Sequence, residues 1–265
     1  DGKLAVVTGA GSGIGRALAC RLVDAGARFV VCADLDVDTA LETAALIGAK
    51  ASAVHLDVAD QNAIDGLVER LEVEQGGVDI FVSNAGYALG GGLDLETDQW
   101  RKMMEVHLWA HLSAARAVIP GMIERGGGYL LNTASAAGLL TQLDSGPYAV
   151  SKHAAVALAE WLAINYSDRG IGVSVLCPQA VRTNILGKRR GKSGAKKTNS
   201  NQAAQDGILE PEKVADDCIR AIVEEKFLVL PHMEVAKYFA NKANDYERWL
   251  NGMRRFRDRL KQKRN

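Results

Sequence analysis

The stretch "LAVVTGAGSGIG", residues 4–15, runs from a short apolar segment straight into a glycine-rich turn. An uninterrupted apolar run that is bounded by a turn is typical of a strand buried on both faces. The glycines allow the backbone to bend tightly, and an alanine-rich segment of helical period follows them. This order of strand, glycine turn and helix predicts the first unit of a parallel sheet that helices cover.

Short apolar runs recur along the chain, separated by segments of helical period. With the first run they make seven predicted strands, at 4–8, 28–33, 51–56, 79–83, 129–133, 172–177 and 227–230. Alternating strands and helices indicate an α/β fold of the Rossmann type: a doubly wound, seven-stranded parallel sheet with helices on both faces. We expect a single domain over residues 1–265.

Two segments depart from this alternation. Residues 187–205 hold six basic and no acidic side chains, which predicts a mobile basic loop that either closes over a substrate or is a solvated insertion. Residues 232–262 predict a C-terminal helical extension. Its apolar side chains recur every three or four positions and form one stripe: Tyr246, Trp249, Met253, Phe256 and Leu260.

Composition excludes several classes of protein. A formal net charge of zero and a pI near 7.1 argue against a partner that is a nucleic acid or a membrane surface, and no apolar run approaches the ~18 residues of a membrane span. His107 and His111 have the spacing of metal ligands, but no third ligand is evident, so no metal is expected. The cysteines are scattered without a CxxC motif, which indicates reduced thiols and a cytoplasmic location: Cys20, Cys32, Cys177 and Cys218.

The glycine turn indicates a dinucleotide site. Glycines let the backbone approach a pyrophosphate, which then lies at the positive end of the following helix. Asp34 ends the second strand, 19 residues after Gly15, where its carboxylate can accept both ribose hydroxyls. The same carboxylate would repel a 2′-phosphate, and Ser12 in the turn offers no cation to attract one. NAD is therefore favoured over NADP.

Tyr148 and Lys152 carry the predicted acid–base chemistry. At positions i and i+4 they share one face of a predicted helix. A phenol with a pKa of ~10 exchanges protons poorly at neutral pH, whereas a nearby ammonium favours the phenolate. The spacing therefore predicts that Lys152 lowers the pKa of Tyr148.

As a set, "TGAGSGIG" (8–15), "LDV" (56–58), "NAG" (84–86), Ser135 and "YAVSK" (148–152) resemble the motifs of the short-chain dehydrogenase/reductase family in order and spacing. The resemblance is strong over residues 3–183 and loose beyond them. It implies that Tyr148 is the general acid/base, that Lys152 also holds the nicotinamide ribose, and that Ser135 orients and polarises the substrate oxygen.

The resemblance also implies a cofactor site. Asp57 would bind the adenine amino group beside the Val58 backbone, and Thr183 would bind the nicotinamide carboxamide. The residues implied to bind the cofactor are Gly9, Ser12, Gly13, Ile14, Gly15, Asp34, Asp57, Val58, Asn84, Ala85, Gly86, Tyr148, Lys152, Pro178 and Thr183.

Two positions depart from the family pattern. Pro178 is followed by Gln179, where the family usually has glycine, so a side chain enters the floor of the predicted pocket. His107 stands where the family usually has an asparagine that completes a catalytic tetrad. Either its imidazole joins a proton relay with Lys152, which would lower the pKa of the imidazole, or it fills the space of the asparagine.

The sequence thus predicts an NAD-dependent oxidoreductase that passes a hydride between nicotinamide and a secondary alcohol or ketone. The leucines near the predicted pocket indicate a medium-sized apolar or aromatic substrate, and the family resemblance implies a homotetramer or homodimer. Two alternatives stay open: a catalytically weakened dinucleotide-binding sensor or partner subunit, and an NADP-dependent carbonyl reductase. The intact Ser135, Tyr148 and Lys152 oppose the first, and Asp34 opposes the second.

Overall fold

A computed structural model of the chain describes residues 2–183 and 202–262. The strands are β1 Leu4–Thr8, β2 Phe29–Asp34, β3 Ala51–His55, β4 Ile80–Ser83, β5 Gly128–Thr133, β6 Ile171–Leu176 and β7 Leu228–Val229. The α-helices are α1 Gly13–Asp24, α2 Val37–Ile47, α3 Gln61–Gln75, α4 Thr97–Met104, α5 Ala110–Glu124, α6 Ala137–Leu140, α7 Gly146–Tyr166, α8 Pro211–Val223, α9 Glu234–Asn244 and α10 Tyr246–Gln262.

The seven strands form one sheet in the order β3-β2-β1-β4-β5-β6-β7, and all of its pairs are parallel. The predicted doubly wound sheet is confirmed. The chain moves outward from β1 in one direction through β2 and β3, and in the other direction through β4 to β7. A sheet of this kind binds its ligand where the strand order reverses, at the carboxyl ends of β1 and β4.

Alternate side chains of one strand supply two separate apolar cores. Leu4 and Val6 face the core on one side of the sheet, whereas Ala5 and Val7 face the core on the other. All five residues of β1 are buried. Successive side chains of a strand point to opposite faces, so only an unbroken apolar run fills both cores. This explains why the apolar runs predict the strands well.

The C-terminal part of the chain holds the last strand and the helical extension. β7 has two residues rather than the four of the predicted run 227–230. The C-terminal extension consists of two helices, α9 and α10, and Leu260 is buried whereas Tyr246 is 55% exposed. Among the described helices, none combines the length and apolar character needed to cross a bilayer. Most of the predicted basic loop 187–205 lies outside the described residues.

Candidate active site

The glycine turn brings three predicted cofactor-binding segments together. Gly9 and Gly13 have positive φ angles, of 65° and 52°. A Cβ on Gly9 would lie 2.9 Å from the Cα of Ala85, and a Cβ on Gly13 would lie 2.7 Å from Cγ2 of Thr183. Neither position tolerates a side chain. The turn therefore lies directly against the segment after β4 and against the segment after β6.

The start of α1 is suited to a phosphate group. Ser12 precedes the helix, but its hydroxyl makes no capping hydrogen bond. The first backbone N–H groups of a helix have no partner within the helix and carry its positive end. A pyrophosphate would satisfy these groups where the glycines let the backbone come close. The residues present thus fit a dinucleotide.

Asp34 is held in place by two backbone amides. Its Oδ2 accepts a hydrogen bond from Gly11 N–H at 2.8 Å, and its Oδ1 accepts one from Asp36 N–H at 3.0 Å. Each carboxylate oxygen can accept a second hydrogen bond. The carboxylate at the end of β2 is therefore fixed beside the glycine turn and can accept ribose hydroxyls. Asp57 lies beyond β3, and its Oδ1 accepts the N–H of Ala59 at 2.9 Å.

Asn84 joins the ends of three strands. Its Nδ2 donates to the carbonyl oxygen of Thr8 at 3.0 Å, and its Oδ1 accepts the hydroxyl of Thr133 at 3.1 Å. The Thr8 hydroxyl oxygen in turn accepts the N–H groups of Asn84 and Ala85, at 2.9 and 3.1 Å. Thr8 and Thr133 were not among the predicted site residues, yet they position the segment 84–86. Their placement at the last position of two apolar runs is the signal that could have found them.

The predicted catalytic residues meet at the carboxyl end of β5. Lys152 is buried in α7, and its Nζ donates to the carbonyl oxygen of Thr133 at 2.9 Å. The same Nζ lies 5.8 Å from the centre of the Tyr148 ring. Ser135 follows β5 two residues later, and its Oγ accepts the N–H of Ala137 at 3.1 Å. The structure thus brings Ser135, Tyr148 and Lys152 to one edge of the sheet.

Burial has the largest effect on the pKa values of Tyr148 and Lys152. It raises the pKa of Tyr148 above 10.0, although the nearby Ser135 hydroxyl acts in the opposite direction. Burial also lowers the pKa of Lys152 from 10.5 to about 8. The expected lowering of the Tyr148 pKa by Lys152 is therefore not found. Tyr148 holds its proton at neutral pH, and most of the Lys152 amine stays charged at pH 7.

The fold agrees with that of known proteins. A family model described as short chain dehydrogenase matches residues 3–194. The chain belongs to the short chain dehydrogenase family. A 1-deoxy-11-beta-hydroxypentalenate dehydrogenase from Streptomyces exfoliatus is 39% identical over 191 residues, which cover 69% of each chain. A 3beta-hydroxysteroid dehydrogenase 2 from Eggerthella lenta is 33% identical over 81% of this chain and 85% of its own.

A solved member of the family has the same fold. The crystal structure of a short chain dehydrogenase/reductase from Burkholderia phymatum in complex with NAD matches with a TM-score of 0.82 and 31% identity. The match covers 93% of this chain and 95% of the other. Some relatives are longer proteins, of which the chain spans 40%.

His107, where the family resemblance implies asparagine, has both ring nitrogens in hydrogen bonds. It lies in a π-helical turn, Glu105–Trp109, between α4 and α5. Its Nε2 accepts the N–H of Tyr87 at 3.2 Å, so Nδ1 carries the hydrogen of the neutral ring and donates to Ser151 Oγ at 2.9 Å. The Ser151 hydroxyl donates to the carbonyl oxygen of Tyr148 at 3.1 Å. Burial, and then the charge of Lys152, holds the pKa of His107 well below 6.5.

Gln179, the second departure, turns its side chain towards the segment after residue 201. Its Nε2 donates to Asp206 Oδ2 at 2.6 Å, and the Tyr238 hydroxyl donates to the other oxygen of Asp206 at 3.0 Å. The side chain thus forms part of the wall where residues 202–209 and α9 meet. Pro178 lies beside Ser135, whose Oγ donates to its carbonyl oxygen at 3.4 Å.

Proposed function

We propose that the chain is an NAD-dependent dehydrogenase that passes a hydride between nicotinamide and the carbon of a secondary alcohol or ketone. The observation that carries this proposal is the placement of Ser135, Tyr148 and Lys152 at one edge of the sheet, beside the glycine turn and Asp34. When bound, NAD supplies the hydride acceptor. The chain orients the substrate and the cofactor and supplies the proton.

Each of the three side chains has a separate task in this proposal. The Tyr148 phenol gives a proton to the ketone oxygen in reduction, and its phenolate takes one from the alcohol in oxidation. The Ser135 hydroxyl, already fixed through its acceptor side by Ala137 N–H, turns its hydrogen towards the same oxygen. The Lys152 ammonium holds the ribose hydroxyls and favours the phenolate once the site is filled.

Two features support NAD over NADP. The Asp34 carboxylate would face a 2′-phosphate across the adenosine ribose and repel it. Arg16, a nearby cation in the described part of the chain, is already engaged: its guanidinium donates to Glu42 at 2.9 Å and to the carbonyl oxygen of Gly11 at 2.6 Å. An NADP-dependent reductase would need a free cation in this place.

The substrate class is proposed as a medium-sized apolar alcohol or ketone. The names of two relatives contain a hydroxylated compound, hydroxypentalenate in one and a hydroxysteroid in the other. Leucines also occur in the segments expected to lead to the site, and one of them, Leu93, is fully exposed. An exposed leucine in such a segment favours an apolar substrate over a charged one.

We also propose that His107 positions other groups rather than carrying a proton. A neutral ring with both nitrogens occupied connects Tyr87, next to the cofactor segment 84–86, with α7 at Tyr148. Protonation would take the acceptor position on Nε2 away from Tyr87 N–H. The geometry therefore favours the second of the two alternatives, in which His107 takes the place of the asparagine.

Assembly is proposed to be a homotetramer or homodimer. On α7, Val150, Trp161 and Ile164 are 49%, 52% and 77% exposed and lie at helical spacing with Ala154 and Ala157 between them. Exposed apolar stripes of this kind mark interaction surfaces. The small alanines allow close approach of the same helix in a second copy.

A cytoplasmic location is part of the same proposal. Burial raises the pKa of the Cys32 and Cys177 thiols to about 12, so these groups are unreactive. Such thiols, all unpaired, suit a reducing compartment.

A panel of secondary alcohols with NAD and with NADP, followed by absorbance of the reduced nicotinamide, tests the proposal. We expect turnover of apolar alcohols with NAD. Binding of NADH without turnover of any member of the panel would favour the sensor alternative, and faster turnover with NADP would favour the reductase.

A further inference from the structure

One peptide group lies between the catalytic serine and the C-terminal part of the chain. The carbonyl oxygen of Pro178 accepts Ser135 Oγ–H at 3.4 Å and Ala136 N–H at 2.9 Å. The N–H of the same peptide group, on Gln179, donates to Nδ1 of His232 at 3.2 Å. A peptide group is planar, so its C=O and N–H directions change together. Holding the N–H in place therefore also holds the carbonyl group that faces Ser135.

His232 is suited to hold this N–H group. It lies between β7 and α9 and is 3% exposed. Since Nδ1 accepts a hydrogen bond, the hydrogen of the neutral ring is on Nε2. The side chain of Gln179 is held separately, by Asp206, which also accepts the Tyr238 hydroxyl. Residue 179 is thus fixed through its backbone by His232 and through its side chain by Asp206.

We propose that His232 is a positioning residue for Ser135, acting through the Pro178–Gln179 peptide group. The Pro178 carbonyl oxygen accepts the Ser135 hydroxyl while Ala137 N–H donates to its Oγ. In the reaction the hydroxyl would turn its hydrogen from this carbonyl oxygen to the substrate oxygen while Ala137 N–H keeps the Oγ in place. Through this peptide group, His232 links the segment between β7 and α9 to the reaction at Ser135. The inference rests on the proposed function, since it needs a reaction in which Ser135 takes part.

Three variants of His232 separate this role from simple packing. His232→Asn places an amide oxygen near the position of Nδ1 and can still accept the Gln179 N–H. His232→Gln carries the amide one carbon further, near the position of Nε2, and His232→Leu removes the acceptor. A partly buried N–H group left without a partner is costly, so the peptide group is expected to rotate in His232→Gln and His232→Leu.

The experiment measures kcat and KM with an alcohol from the panel, NADH affinity by fluorescence, and the same substitutions in a Ser135→Ala background. We expect His232→Leu and His232→Gln to lower kcat about tenfold with NADH affinity unchanged, and His232→Asn to stay within about threefold of the original chain. In the Ser135→Ala background His232→Gln should have no further effect, because the group it positions is gone.

Equal kcat values for His232→Gln and His232→Asn would overturn the inference. It would also be overturned if His232→Gln lowered kcat equally in the original chain and in the Ser135→Ala background. If His232→Leu fails to fold, the comparison of the Asn and Gln variants decides alone. A chain that turns over no alcohol in any form would instead contradict the proposed function, so the two failures are distinguishable.

Discussion

Gly11 donates its backbone N–H to Oδ2 of Asp34 at 2.8 Å, which joins the glycine turn after β1 to the end of β2. A Cβ on Gly11 would lie 2.8 Å from the same oxygen and 2.0 Å from Oγ1 of Thr39. The contact therefore requires glycine on one side and a short acceptor on the other. The contact thereby fixes the negative charge of the Asp34 carboxylate where the adenosine ribose would bind.

Asp34→Ala should narrow the preference for NAD over NADP by at least about tenfold. The substitution removes the repulsion of a 2′-phosphate and the acceptor of the ribose hydroxyls together, and tenfold corresponds to about 1.4 kcal/mol. Measuring kcat/KM for both cofactors checks this. Asp38→Ala, an exposed carboxylate in the first turn of α2, is the control and should leave the ratio unchanged. Equal use of both cofactors by the original chain would contradict the NAD assignment.

Lys152→Met should abolish activity and raise the melting temperature at pH 7. Burial lowers the pKa of Lys152 from 10.5 to about 8, so the unfolded chain binds this proton more tightly than the folded chain does. The buried charge therefore costs stability below pH 8, by up to roughly 3 kcal/mol, and the cost fades as pH rises towards 10.5.

The difference in melting temperature between the original chain and Lys152→Met should accordingly shrink between pH 7 and pH 10. Calorimetry at both pH values measures it. Lys237→Met, at an exposed position on α9, should change neither activity nor melting temperature. A lower melting temperature for Lys152→Met at pH 7 would mean that the hydrogen bond to Thr133 outweighs the cost of burial.

His107→Asn should keep kcat within about tenfold and leave the acidic limb of the pH–rate profile in place. The pKa of His107 is held well below 6.5, and both ring nitrogens are already bonded, so the ring does not change charge near neutral pH. Ser151→Ala removes the other end of the same connection and should lower kcat to a similar extent. If the acidic limb moves in His107→Asn, the imidazole takes part in proton transfer and the positioning role is wrong.

Trp161→Glu together with Ile164→Glu should dissociate the assembly. These side chains are 52% and 77% exposed on α7, and a carboxylate buried between two copies of this helix would lack a partner. Light scattering at micromolar concentration measures the mass. A matched pair on another exposed face, Leu41→Glu with Leu46→Glu in α2, should leave it unchanged. If the original chain is already a monomer, the assembly proposal is wrong.

Local patterns predicted the sheet because each central strand must fill two cores, which only an unbroken apolar run can do. β7 was overestimated since an edge strand ends where its neighbour stops pairing, and only Leu228 and Val229 pair with β6. The contacts of His107 could not be predicted. They join it to Tyr87 and Ser151, 20 and 44 positions away, and depend on a π-helical turn that the sequence does not signal.

The second departure from the family pattern shows the same limit. Gln179 is visible in the sequence, but its partners His232 and Asp206 lie 53 and 27 positions further along the chain. Neither belongs to a motif. Only hydrogen bonds of the segment after β6, to residues 202–209 and to the segment between β7 and α9, bring them next to the site.

The most direct test of the central claim is the initial rate of NADH formation from a secondary alcohol, for the original chain and for Tyr148→Phe. We expect a loss of at least about a hundredfold with NADH affinity retained, because the ring stays while the proton-exchanging hydroxyl goes. Tyr166→Phe, at the far end of the same helix, should have the rate of the original chain. NADH formation by Tyr148→Phe at the rate of the original chain would contradict the account.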